Sequence, residues 1–219
     1  MSRILCIYPD YRSTKFLNSI QVSIKHILGD RFHCYKIKPT VESHVRCLAE
    51  ISVHDSNESI IFLGHGRNNS LFGADFPSTY GFVSDDYLAE NPHEEHLSET
   101  FISSENVSVF NSKKVFCLTC NSADGLGELA IEAGAKVFFG FGDIPTDNLA
   151  DQDSRLYLDR WKSPMPDRLT SIFKGEIQLI VKSSLLISLN RKLSYGELAN
   201  IIRYKTNLRI CDILKFNKV

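Results

Sequence analysis

The chain has 219 residues, of which 43% are hydrophobic and 23% charged, and its formal net charge is −1. That length and balance fit one globular domain over residues 1–219 and exclude fibrous and disordered classes. A near-neutral chain has no electrostatic bias toward nucleic acid, and its longest apolar run, IQLIVKSSLLISL, contains Lys182 and falls short of the roughly 20 residues that span a bilayer.

In chain order, the opening MSRILCIYPDY carries a short apolar run stopped by Pro9 and Asp10, with no signal-peptide core, which predicts a cytoplasmic protein. RILCIY reads as a strand. Residues 14–28 then place Phe16, Leu17, Ile20, Ile24, Ile27 and Leu28 at helical spacing, and Gly29 supplies the stop. RFHCYKI is the second strand, Thr40 opens a second helix running to about Ile51, and SIIFLG is the third strand. SLFGADFPSTYGFV reads as a small hairpin. Residues 84–112 carry seven acids and no Lys or Arg, and read as a solvated acidic insertion between core strands.

KKVFCLT is the next strand, residues 123–133 form a helix ending at Gly134, and AKVFFG follows at once, a compact βαβ unit. The carboxyl third is helical from about Pro166 to Asn190, and Ser194 with Glu197 has the S-x-x-E spacing of a capping box that opens a last helix. Alternating strands and helices predict an α/β fold with a mostly parallel sheet. The six cysteines follow no disulfide framework and are read as reduced.

Two strands end in reactive residues. SIIFLG runs into His65-Gly66, and KKVFCLT runs into Cys120-Asn121-Ser122. In open parallel sheets the ligand crevice lies beyond the carboxyl ends of the strands, and neighbouring strands stand about 4.8 Å apart, so the two side chains can face one reacting atom if their strands are adjacent. A thiol is a poor nucleophile until a neighbouring imidazole or a helix amino terminus favours the thiolate. His65 then serves as acid and base, and the Gly66 and Cys120 amides form an oxyanion hole. No metal or organic cofactor enters this chemistry. His93 and His96 are three apart rather than the four that a zincin helix requires, and Cys117-x-x-Cys120 starts inside a strand, unlike a redox CxxC.

IIFLGHG and VFCLTCNSADGLGELAIEAGAKVFFGFGD resemble the His-Gly and Cys motifs of clan CD cysteine peptidases, and among them the CHAT domains, a caspase-like group related to separase. Cys120 follows His65 by 55 positions (65 to 120), against about 50 in caspases. The resemblance implies a caspase-like three-layer sandwich with a central sheet of about five or six strands and helices on both faces. It also implies a cysteine endopeptidase with a protein substrate, working through a thioester in a prokaryotic defence or cell-death system and answering to an activating or regulatory protein partner.

Asn121-Ser122 stands where the family commonly has Ser-Gly, which bears on the specificity pocket. Asp10 and Asp143, at strand ends on the same rim, are the candidate acids for a basic substrate residue, with Asn121 beside them. Another class of reading is a catalytically silent interaction or regulatory module of the same fold. A flavodoxin-like ligand module ranks below both, because residues 9–14 contain no glycine to cradle a phosphate.

Overall fold

The computed structural model describes residues 3–10, 14–54, 58–74, 100–142, 144 and 167–216, with side chains from 172 to 209 in the last of these segments. Five parallel strands form the main sheet: β1 (Ile4–Pro9), β2 (Phe32–Ile37), β3 (Ser59–Leu63), β7 (Lys114–Leu118) and β8 (Val137–Phe139), in the order β2-β1-β3-β7-β8. β4 (Gly66–Arg67), β5 (Ser70–Phe72) and β6 (Thr100–Ile102) form a small antiparallel sheet. The helices are α1 (Asn18–Leu28), α2 (Val41–Val53), α3 (Gly125–Glu132), α4 (Asp167–Arg191) and α5 (Tyr195–Phe216). Among the described residues no helix is long and apolar enough to cross a membrane.

The central strands β1, β3 and β7 are apolar at nearly every position because both of their faces are covered, as parallel sheets require. On one face, Leu5, Ile7, Ile60, Phe62, Val115 and Cys117 pack with Cys47 and Ile51 of α2 and with Leu126 and Ala130 of α3. On the other, Ile4, Cys6, Ile61, Leu63, Phe116 and Leu118 meet Ile20 and Ile24 of α1, Val181 and Leu185 of α4, and Leu198 and Ile202 of α5. Each fully buried aromatic or aliphatic side chain contributes about 1.5–3 kcal/mol against remaining exposed.

Local signals place the helices as read. Thr40 accepts a hydrogen bond from the Ser43 N–H at the start of α2. Ser194 and Glu197 exchange the reciprocal bonds of a capping box at the start of α5: the Ser194 N–H donates to Glu197 Oε2 at 2.7 Å, and the Glu197 N–H to Ser194 Oγ at 3.3 Å.

β5 turns back on Gly66–Arg67 through Asn68 and Asn69, a hairpin that the sequence reading did not place; of the hairpin expected over residues 70–83, residues 75–83 lie outside the described ones. One expectation changes. The stretch read as a solvated insertion ends in core: Phe101, Ile102, Val107 and Phe110 are buried, and β6 pairs with β5. Their apolar side chains outweigh the acids near them, of which Glu105 alone falls on described residues.

Buried His44 ties α2 to the end of β5. Its Nδ1 lies 2.8 Å from the Thr40 carbonyl, and its Nε2 accepts from the Ala74 N–H at 3.2 Å, so the ring is a neutral Nδ1–H tautomer with a structural task.

Candidate active site

Chain order fixes where a crevice opens. From β1 the chain passes through α1 to β2 on one side, then returns through α2 to β3 on the other, so the switch in strand order falls between β1 and β3. Two cavities lie at the carboxyl ends there. One, of about 130 Å³, is bordered by Tyr8, Asp10, Asn18, Gln21, Lys36 and Leu63. The other, of about 20 Å³, is bordered by Gly64, His65, Leu118, Thr119, Cys120 and Ile144. Thr14 and Leu17 border both.

His65 and Cys120 owe their meeting to register. β3 and β7 are parallel neighbours with Leu63 opposite Leu118, and the Gly64 N–H donates to the Leu118 carbonyl at 3.3 Å. Each reactive residue therefore stands two positions beyond a matched pair, and both border the same small cavity, half-buried. Cys117 packs into the opposite core from the one that Cys120 touches, so the C-x-x-C spacing is no thiol pair. The Cys120 thiol donates to the Ile144 carbonyl at 3.6 Å.

Gly66 follows in β4. The Phe72 N–H donates to the His65 carbonyl at 3.1 Å, which makes His65–Phe72 a hydrogen-bonded pair. Antiparallel alternation then leaves Gly66, opposite Leu71, with its N–H directed away from β5. A Cβ on Gly66 would stand 2.9 Å from Thr119 Oγ1 and 3.0 Å from the Ser70 carbonyl, so only glycine lets this backbone approach the cysteine strand so closely.

The loop after Cys120 is held on several sides. Asn121 adopts φ +52°, a left-handed conformation that Asn tolerates better than most residues. This turn directs the Asn121 N–H to the Gly142 carbonyl at 2.9 Å and the Ala123 N–H to the Phe141 carbonyl at 3.0 Å. Ser122, fully buried, donates to the Thr119 carbonyl and accepts from the Phe141 N–H, both at 3.3 Å. Asn121 thus has a backbone role next to the thiol. The sequence alone did not reveal that Ser122 joins both ends of the loop.

Asn68 was also missed. At the tip of the β4–β5 hairpin, its Oδ1 accepts from the Gly125 N–H at 2.8 Å, and its carbonyl accepts from the Leu126 N–H at 2.5 Å. The Gly127 N–H goes to the Ser122 carbonyl at 3.1 Å. The first amides of α3 are therefore committed to Asn68 and Ser122, which corrects the expectation that this helix terminus favours a Cys120 thiolate. Instead it fastens the His65 hairpin to the Cys120 loop. A legible signal existed in Asn68-Asn69, turn-forming residues directly after the His-Gly strand.

A Cβ on Gly125 would lie 2.7 Å from the Asn68 carbonyl oxygen. Gly125→Ala is expected to displace the hairpin, cost about 1–3 kcal/mol in chemical denaturation, and lower any Cys120-dependent hydrolysis.

Of the remaining candidates, Asp10 sits at the end of β1 and forms an ion pair at 2.8 Å with Lys36 of β2. Asp143, His93 and His96 lie outside the described residues. No group of three or more potential metal ligands occurs among the described residues. Cys6, Cys34, Cys47, Cys117 and Cys120 are in no disulfide. Comparison with protein-family models gives no match, and comparison with curated protein sequences gives none.

Proposed function

We propose that the chain is a cysteine endopeptidase of caspase-like, CHAT-type architecture. The observation that carries this reading is the placement of His65 and Cys120 at equivalent positions beyond adjacent parallel strands, on one cavity. Cys120 attacks the scissile carbonyl, His65 takes up the thiol proton and returns it to the leaving amine, and a thioester forms that water then hydrolyses. The Gly66 and Cys120 amides hold the oxyanion; the orientation of the Gly66 N–H away from β5 supports the first of these. No step calls for a metal or cofactor.

The dyad cavity has room for about one water, and the neighbouring cavity of about 130 Å³ is the one sized for a substrate side chain. Its carboxylate, Asp10, is shared with Lys36, so a basic substrate residue exchanges with Lys36 instead of meeting a lone acid. The substrate is a protein, and a dedicated regulatory partner fits the family resemblance.

One observation favours a second reading, an interaction module with a silent pair: the thiol is directed to the Ile144 carbonyl. Digestion of a mixed peptide library, read by mass spectrometry under reducing conditions, separates the two. New termini that appear with wild-type protein and not with Cys120→Ala support the peptidase. Equal peptide profiles for both proteins favour the silent module.

A further inference from the structure

Away from the dyad, two other cysteines face each other across the sheet. Cys6 of β1 and Cys34 of β2 are directly opposed in the parallel register, so their side chains leave the same face. Both pack in the core formed with α1, α4 and α5, Cys6 fully buried and Cys34 half-buried at its margin. Directly opposed residues on parallel neighbours stand about 4.8 Å apart, inside the roughly 4.4–6.8 Å between Cα atoms that a disulfide spans.

We propose that Cys6 and Cys34 form a hydroperoxide-responsive dithiol, in which Cys34 is oxidised first and Cys6 then closes a reversible disulfide between β1 and β2.

The surroundings divide the two roles. The Cys34 thiol donates to Gln21 Oε1 at 3.0 Å, and the same amide, turned over, donates its Nε2–H to a thiolate. The hydrogen bond from Cys6 holds the Cys34 thiol below its ordinary value against the opposing effect of burial, and Lys25 of α1 adds to the lowering. Burial, followed by the hydrogen bond to Cys34 and the charge there, pushes the Cys6 thiol well up. A half-buried, thiolate-prone cysteine beside a buried thiol that stays protonated is the arrangement of a sensing cysteine with its resolving partner.

The chemistry balances with a hydroperoxide as the oxidant. The Cys34 thiolate attacks the O–O bond, an S–O bond forms, and the alcohol or water leaves, giving a sulfenic acid. Cys6 Sγ then attacks that sulfur, the S–O bond breaks, and the Cys6 proton leaves with the departing hydroxide as water. Two electrons pass from the thiol pair to the peroxide, and a dithiol reductant returns them. Closing the bridge withdraws Cys34 from Gln21, which borders the larger cavity at the sheet's carboxyl end. The inference stands apart from the His65–Cys120 reading.

The test uses the reduced 219-residue chain and its Cys120→Ala variant, which removes the other half-buried thiol among the described residues. Each is exposed to hydrogen peroxide and digested without reduction for mass spectrometry. The expected result in both is a peptide pair joined through Cys6 and Cys34, lighter by two hydrogens and separated by dithiothreitol. In Cys6→Ala, Cys34 is expected to stall as a sulfenic acid that dimedone captures. Wild-type protein in which Cys34 is captured by dimedone without linkage to Cys6, or is oxidised no faster than buried Cys47 and Cys117, would overturn the proposal.

Discussion

Cys120→Ala is expected to lower peptide hydrolysis by about 10⁴- to 10⁶-fold, while changing stability by about 1 kcal/mol or less. The proposed mechanism routes every covalent step through this sulfur, and among the described residues the two hydroxyls on the cavity, Thr14 and Thr119, are both buried, with Thr119 Oγ1 3.3 Å from Cys117 Sγ. The side chain is half-buried at the end of a strand, so its truncation opens little space in the core. His65→Ala is expected to fall nearly as far, and the double variant no further than the worse single one, because groups that act as a unit lose their joint effect once. Steady-state cleavage of a peptide taken from the library digest, beside a thermal melt of each variant, checks all three. A double variant whose losses multiply would separate the residues into independent roles.

Phe116→Ala is expected to cost about 3–5 kcal/mol, among the largest effects of any single truncation near the site. Phe116 is 1% exposed, faces the core shared with α4 and α5, and lies opposite Phe139 across the β7–β8 pair. Its ring centroid is 5.0 Å from that of Phe139 and 5.8 Å from that of Phe141, and those two are 5.4 Å apart. Removing the ring withdraws the support of both partners. The effect reaches the site because the Phe141 backbone bonds Ser122 and Ala123, which hold the loop after Cys120. A lower midpoint in urea with an unchanged slope is the expected signature, since a cavity changes stability without changing the surface exposed on unfolding. Phe116→Leu, which keeps much of the volume, is expected to lose less of both stability and hydrolysis.

What the sequence made legible was whatever is written locally. β1, β3 and β7 announce themselves as continuous apolar runs because each must be covered on two faces, and Thr40 and Ser194 mark helix starts through bonds made within three residues. The adjacency of the His65 and Cys120 strands followed from where the reactive residues fall on those runs, and the register of β3 with β7 bears it out.

The features that escaped depend on contacts between distant segments. β6 is three residues whose pairing with β5 bridges a separation of about thirty positions, and no local period marks it. The Asn68–Gly125 bond joins residues 57 apart and reassigns the amides of α3, which sequence alone suggested for Cys120. Asp10 looked like an unshared acid until β2, lying beside β1, brought Lys36 to it. In each case chemistry was readable from residue type, whereas its availability was decided by a partner that only the fold supplies.

The pairing of His65 with Cys120 is tested most directly by a peptidyl ketone that alkylates cysteine peptidases, followed by intact mass and peptide mapping on wild-type protein and on His65→Ala. The expected result is a single adduct on Cys120, formed about 10²-fold or more slowly without His65. An adduct on Cys34 instead, or a Cys120 adduct that forms at the same rate in both proteins, would contradict the dyad.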